Sequence, residues 1–383
     1  MLVSEFDFEL PEELIAQEAA PRGASRLMVL DRACGAVQHA TIAALPLFLR
    51  HDDLLVVNDT RVFAARLLGH RVPSGGAVEC LLLAPEPGSQ EAWEPGSPRV
   101  PVPGSPQARE SAAPGPRAPG PPGSQIWSAL MHPGQKLKPG AAARFEGPAG
   151  VLLAEVLERR FFGRRTIRLS AESGGDVDAL IDALGHVPLP PYIKRQDTPS
   201  DRERYQTIFA RSRGSVAAPT AGLHFTPALM AELTARGIDV AAITLHVGYG
   251  TFKPVRADVV EAHVVDPEVY EITERAAGAV ARALDDGRRI VAVGTTTTRA
   301  LEDAALRSGG RPAPGRSIAS IFIHPGFRFQ IVGALLTNFH LPRSSLLMLV
   351  SAFAGRERVL AAYRQAIQHR YRFYSYGDAM LIA

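Results

Sequence analysis

Several short segments place hydroxyl, amide, acid and imidazole side chains directly after apolar runs, where enzymes with alternating strands and helices usually build their sites. The densest is GSVAAPTAGLHFT (214–226), with Thr220, Gly222, His224 and Phe225. A histidine titrates near neutral pH and can move protons, and small residues let a backbone approach a ligand closely. The helix start that follows favours anions such as a carboxylate. NDTR (58–61) ends another apolar run with Asn58, Asp59, Thr60 and Arg61. It suits acid–base work or polar ligand binding, and equally a strand-end turn with a local ion pair. TLHVGYGTFKPV (244–255) carries His246, Gly248, Gly250 and Thr251. Its GxG lacks the third glycine of a dinucleotide loop, so a tight turn explains the two glycines as well.

VGTTTTRALE (293–302) opens a helix with four threonines, Thr295, Thr296 and Thr297 among them. Capping needs one hydroxyl, so four in a row suit a carboxylate, phosphate or ribose. TNFHLPRSS (337–345) contributes Asn338 and His340, and YRFYSYGDAMLI (371–382) sets Tyr376 and Asp378 among aromatic rings. Such rings can stack on a base, face a cation, or fill a core.

Composition narrows the chemistry. The chain has 383 residues, 46% hydrophobic and 21% charged, as in an ordinary globular protein of about two domains. Two cysteines, Cys34 and Cys80, are too few for a disulfide framework or a four-cysteine zinc site, and a reducing cytoplasm is expected. Eleven histidines are scattered without HExxH or CxxC spacing, so no metal is expected, and the hydrolase elbow GxSxG is absent. The acidic opening MLVSEFDFELPEEL does not read as a signal peptide, and the apolar stretch 346–354 is too short to span a bilayer, so no membrane role is expected.

Net charge is +3, which permits a nucleic-acid partner without demanding one. The bases are clustered, however. ERRFFGRRTIR (158–168) has five arginines, and residues 192–213 have six bases against three acids. Residues 341–383 have six arginines against two acids. Lys194, Arg195, Arg202, Arg204 and Arg343 are the candidate phosphate contacts of an RNA surface.

These segments need elements to hold them. Residues 52–59 read as a buried strand, and 78–84 and 151–170 as further β-rich stretches without helical period. Thr226-Pro227 caps a helix that buries Leu229, Met230 and Leu233 and ends at Gly237. Strands at 238–248 and 288–294 alternate with helices at about 273–286, after the threonines, and near 356–370. The pattern predicts an α/β main domain over 1–58 and 170–383, and a small inserted β domain over 59–169. Within the latter, residues 85–124 hold twelve prolines and six glycines and are expected to be a disordered insertion, removable without loss of activity.

HVPLPPYIKR, DRERYQTIFA, GSVAAPTAGLHFT, TLHVGYGTFKPV, AVGTTTTRALE, TNFHLPRSSLLMLVSA and YRFYSYGDAMLI, in this order, resemble the S-adenosylmethionine:tRNA ribosyltransferase-isomerases of queuosine biosynthesis. SRLMVLDR (25–32) and DLLVVNDTRVFAARL (53–67) fit as well, and the likeness fails mainly over 85–124 and 258–272. The resemblance implies a main domain with a mixed, barrel-like sheet wrapped by helices, and an inserted antiparallel β-barrel. It implies a monomer that moves the ribosyl group of S-adenosylmethionine onto 7-aminomethyl-7-deazaguanine at the tRNA wobble position. Epoxyqueuosine-tRNA, adenine and methionine would result, with S-adenosylmethionine as co-substrate and no cofactor. His224 and Asp59 are then the first candidates for proton transfer, with His340 and Asp378 next. The threonines, Asn338 and the glycines would hold the nucleoside. Two other readings stay open on the residues alone: a non-catalytic RNA-binding module and a metal-dependent hydrolase built on the histidines.

Overall fold

The computed structural model describes residues 1–86 and 120–383. Most of the expected disordered insertion, 87–119, lies outside the described residues; Pro85 closes one strand, and residues 120–124 lead into the next. The chain divides into two units, Met1–Val62 with Leu189–Ala383, and Phe63–Pro188.

The first unit begins with β1 (Arg26–Leu30), β2 (Val37–Thr41), β3 (Leu54–Asn58) and β4 (Thr60–Val62). The second unit supplies β5 (Arg66–Val72), β6 (Ala77–Pro85), β7 (Gln125–His132), β8 (Ala142–Gly147), β9 (Gly150–Arg159) and β10 (Arg164–Ala171). The first unit resumes with β11 (Ser212–Ser215), β12 (Asp239–Leu245), β13 (Glu268–Ile272) and β14 (Ile290–Val293). It closes with β15 (Gly315–Ala319), β16 (Val332–Asn338) and β17 (Ala379–Ile382).

Nine strands of the first unit form one mixed sheet in the order β15-β13-β12-β3-β14-β16-β17-β1-β2. Its centre, β12-β3-β14-β16, is parallel. The continuous apolar runs of these strands follow from burial on both faces. Leu54 and Val56 of β3 join one core cluster while Leu55 and Val57 join the other. Ile290 and Ala292 of β14 divide from Val291 and Val293 in the same way. The small parallel pair β4–β11 stands apart from this sheet.

The helices sit as their caps predict. Thr226 accepts from the Leu229 amide at 3.0 Å and starts Pro227–Ala235, which buries Leu229 and Leu233. Thr273 caps Glu274–Asp285 through the Ala276 amide. No helix among the described residues is long and apolar enough to cross a membrane.

The second unit is a closed barrel in the order β10-β7-β6-β5-β8-β9, antiparallel throughout. Alternate residues such as Val78, Cys80 and Leu82 fill it. The unit boundaries, at residues 62/63 and 188/189, lie later than the expected 58/59 and 169/170. The later one moves because the helix Val177–Leu184 covers the barrel: Leu180 and Leu184 lie over Gly150 and Gly147, where a Cβ would press on their methyl groups.

Candidate active site

Three parallel strands deliver their C-terminal ends to one cleft of the first unit. Beyond β12 come Val247 and Thr251, beyond β14 come Gly294, Thr295 and Thr296, and the end of β16 supplies Thr337, Asn338 and His340. The 3-10 turn Thr220–His224 adds Thr220, and two loops add Tyr192 and Tyr374. The cleft spans about 680 Å³, part of it open solvent. A neighbouring cleft of about 540 Å³ shares Thr251, Thr295 and Thr296 with it.

Gly294 makes the β14 turn possible. It adopts φ +96°, a conformation that L side chains avoid, between the strand and the helix Thr295–Arg307. The four threonines at this helix start then divide. Thr297 and Thr298 return their hydroxyls to the carbonyls of Val293 and Gly294, at 2.7 and 3.1 Å. Thr295 and Thr296 line the cleft, and the buried Thr296 hydroxyl has no hydrogen-bond partner among the described residues.

Tyr374 shares that condition at its hydroxyl, and Asn338 Oδ1 has no close partner either, though it neighbours buried His224, whose Nε2 is likewise unpartnered. A buried polar group without a partner costs about 1–3 kcal/mol, which a ligand bonding to it in the cleft would relieve. Asn338 spends its other end inside the protein, donating from Nδ2 to the Tyr374 carbonyl at 2.9 Å. Tyr374 holds φ +73° and stacks on Tyr192, ring centroids 4.3 Å apart and planes 20° from parallel. The Tyr192 hydroxyl hydrogen-bonds with Ser375 at 2.6 Å, which fixes the pair.

His340 is the imidazole lining this cleft. Its Nε2 lies 2.9 Å from the Thr337 hydroxyl, and its backbone amide donates to the Tyr363 hydroxyl at 3.0 Å. Burial pushes its pKa down to about 3, so the ring is neutral at physiological pH. The second cleft is more charged. Buried Glu268 accepts from the Gly248 amide at 2.9 Å and from Arg299 at 2.8 Å; burial pushes its carboxyl up against the pull of Arg299. Lys253 and Asp266 pair at its rim at 2.6 Å.

Thr220, Thr251, Thr295, Thr296, Asn338 and His340 thus meet in the main cleft, and Gly250 lines the second. The other expected residues line neither. His224 is 4% exposed and bonded through Nδ1 to Ser25 at 2.8 Å. Burial pushes its pKa down to about 4, against a smaller opposing pull from the Asn338 side chain. Asp59 accepts from Thr244 at 2.6 Å and borders a different cleft with Phe209 and Arg211. Asp378 accepts from the amides of Arg26 and Arg372 at 2.9 and 2.8 Å, a structural clasp.

Asn58 is consumed by β12, donating to the Leu245 carbonyl and accepting from its amide. Thr60 bonds with Ser215 and His246, whose ring burial drives to a pKa of about 4, and Arg61 is exposed on β4. Gly222 is small for the sake of Thr207, whose methyl would stand 2.8 Å from a Cβ there. Phe225 packs edge-on to Phe209 in the core. Tyr376 and Arg195 both serve buried Asp201, which Tyr376 reaches at 2.8 Å and Arg195 grips at 2.7 and 2.9 Å. Burial alone would raise Asp201; the hydrogen bonds from Arg195, Thr198 and Tyr376 outweigh it and hold its carboxyl far below the usual range. Arg204 reaches the Ala20 carbonyl, Lys194 pairs with Glu12 and Arg343 with Asp7, while Arg202 is exposed. Arg195 and Arg204 are therefore committed inside the fold. Tyr192 and Tyr374 were not expected; the crowding of aromatic rings at 371–376 is the one trace of them in the sequence.

The model of the family described as "Queuosine biosynthesis protein" matches residues 3–382. This chain belongs to that family. Among its relatives, the S-adenosylmethionine:tRNA ribosyltransferase-isomerase of Heliobacterium modesticaldum is 47% identical over 383 residues, covering all of both chains. The protein of the same name from Solibacter usitatus is 49% identical, again over the full length of both. A crystal structure of S-adenosylmethionine tRNA ribosyltransferase from Thermotoga maritima matches 99% of this chain and all of its own, with TM-score 0.50 and 34% identity. The cleft at the ends of β12, β14 and β16 is therefore the candidate active site of a queuosine biosynthesis protein.

Proposed function

We propose that this chain transfers and isomerises the ribosyl group of S-adenosylmethionine onto 7-aminomethyl-7-deazaguanine at the wobble position of a tRNA. The products are epoxyqueuosine-tRNA, adenine and methionine. The observation that carries this reading is a cleft with the unpartnered Thr296 and Tyr374 hydroxyls at the ends of β12, β14 and β16, in a chain of this family.

The reaction sets four physical tasks. The sulfonium must be held, its neighbouring C5′ must lose a proton, the aminomethyl group must attack, and adenine must leave protonated. The stacked Tyr192–Tyr374 pair offers an aromatic face to the cationic sulfonium. We assign the C5′ proton to His340, the imidazole lining this cleft, oriented by Thr337; its pKa of about 3 makes it a weak base in the free protein, so the bound substrate must raise it. Thr296 and Asn338 bind ribose or adenine polar atoms, each new hydrogen bond removing a desolvation penalty already present in the free protein. The helix start at Thr295 favours the methionine carboxylate.

No electrons are gained or lost overall, so the chain needs no redox cofactor for this chemistry. We read it as a cytoplasmic monomer; two free cysteines, Cys34 exposed and Cys80 buried, suit a reducing compartment. The decisive experiment incubates the protein with S-adenosylmethionine and tRNA bearing the aminomethyl base. Adenine release together with the epoxyqueuosine nucleoside mass is expected. Binding of that tRNA with no adenine released would leave an RNA-binding module instead.

A further inference from the structure

One end of the barrel is far more basic than the chain as a whole. The connection between β9 and β10 carries Arg159, Arg160, Phe161 and Arg164, and the turn after β7 carries Lys136 and Lys138. Arg165 ties the two together. Its guanidinium is 1% exposed and donates to the carbonyls of Gly163 and Gly134 at 2.6 Å each and of Leu137 at 3.0 Å. These partners are all backbone oxygens, and no carboxylate among the described residues pairs with this buried cation. Its charge therefore adds to the surface field instead of being cancelled. Arg160 engages Glu86 at 3.0 Å and Glu158 at 3.5 Å.

At the tip of this cationic end stands Phe161, 87% exposed, the most exposed large apolar side chain among the described residues. A phenyl ring left in water forfeits roughly 2 kcal/mol of burial, and here it stands among cationic side chains. A ring at the tip of a hairpin, flanked by guanidinium groups, fits between splayed bases whose phosphates lie close by. An acidic peptide would want a concave seat, which a hairpin tip does not offer.

We infer that this end of the barrel holds an unpaired loop of the RNA substrate, Phe161 stacking on a base while Lys136, Lys138 and Arg159 hold the flanking phosphates. The inference rests on the reading of tRNA as substrate and adds a contact surface outside the cleft. Arg165 is a positioning residue, since it touches only the protein.

The test uses the full chain and two labelled probes, an anticodon stem-loop and a blunt RNA duplex of the same length, read by fluorescence anisotropy. Phe161→Ala should weaken stem-loop binding about tenfold and leave the duplex unchanged, because only unpaired bases stack. Arg159→Ala and Lys136→Ala should each lower the slope of log affinity against log salt by about one. Adenine release by these variants at saturating tRNA should match wild type, with a raised KM for tRNA. Unchanged stem-loop affinity and salt slope would overturn the inference, and so would equal weakening of stem-loop and duplex by Phe161→Ala. These binding arms decide the surface even where the wild-type protein releases no adenine, an outcome that counts against the proposed reaction instead.

Discussion

The Nε2 of His340 lies 2.9 Å from the Thr337 hydroxyl, inside a cleft whose burial keeps the imidazole neutral. The ring is deprotonated but weakly basic, so proton transfer to it depends on the bound substrate raising its pKa. His340→Gln should cut kcat by roughly 10²-fold with little change in KM for S-adenosylmethionine, because general-base contributions run near that size. His224→Ala should cost much less, since His224 lines neither cleft and acts at most through its neighbour Asn338. Steady-state kinetics on the two variants decides between them. A larger kcat loss for His224 than for His340 would return proton transfer to His224.

Adjacent threonines should part company. Thr296 has an unpartnered buried hydroxyl in the cleft, whereas Thr297 spends its own on the Val293 carbonyl. Thr296→Val should raise KM for S-adenosylmethionine about tenfold, the worth of one hydrogen bond, and leave stability equal or higher. Thr297→Val should lower stability by about 1 kcal/mol and leave KM alone. Urea unfolding beside kinetics measures both, and matched KM changes in the pair would remove Thr296 from substrate binding.

Acid should weaken the fold before the usual carboxylate range. His224 and His246 titrate near 4 in the folded chain against an ordinary 6.5, and His340 near 3. The unfolded chain thus binds more protons below pH 6.5, and stability falls as pH falls from there toward 4. At about 1.4 kcal/mol per pH unit, His224 alone accounts for roughly 3 kcal/mol across that window. Thermal unfolding at pH 7, 6 and 5 should show this decline, reduced in His340→Gln. A flat Tm over that range would contradict the burial of these rings.

The barrel should tolerate a shortcut. Strands β6 and β7, on either side of residues 87–119, are antiparallel neighbours with Pro85 opposite Trp127, so pairing already holds them together. A short Gly/Ser turn in place of those residues should leave the melting temperature and adenine release close to wild type. Insoluble or inactive protein would show that the replaced stretch matters.

Much of this architecture can be read from residue order. The strands β3 and β14 stand out because both faces are buried, which makes their sequences apolar without a break. The loops after the central strands stand out as clusters of glycine, threonine and histidine. What such reading misses is direction. Thr220 and His224 share one turn, yet the first lines the cleft and the second turns to Ser25. Asn58 and Asp378 look like chemistry and prove to be backbone clasps, because their amide and carboxylate groups answer chain segments distant in sequence. Tyr374 was hidden because its position depends on a left-handed backbone angle and a stacking partner nearly two hundred residues away. The helix Val177–Leu184 joined the barrel through contacts with Gly147 and Gly150 that no local pattern announces.

Strand β17 lies between β16 and β1, with Leu27 beside Ala379 and Asn338 across from the same residue. Segments some three hundred and fifty residues apart in sequence are thereby neighbours, and the β1–β2 hairpin has no seat in the sheet until β17 has been made. The end of β16 that presents Asn338 is stitched by that same late arrival. A nascent chain stalled short of residue 379 would hold every threonine of the cleft and still have no finished wall behind them.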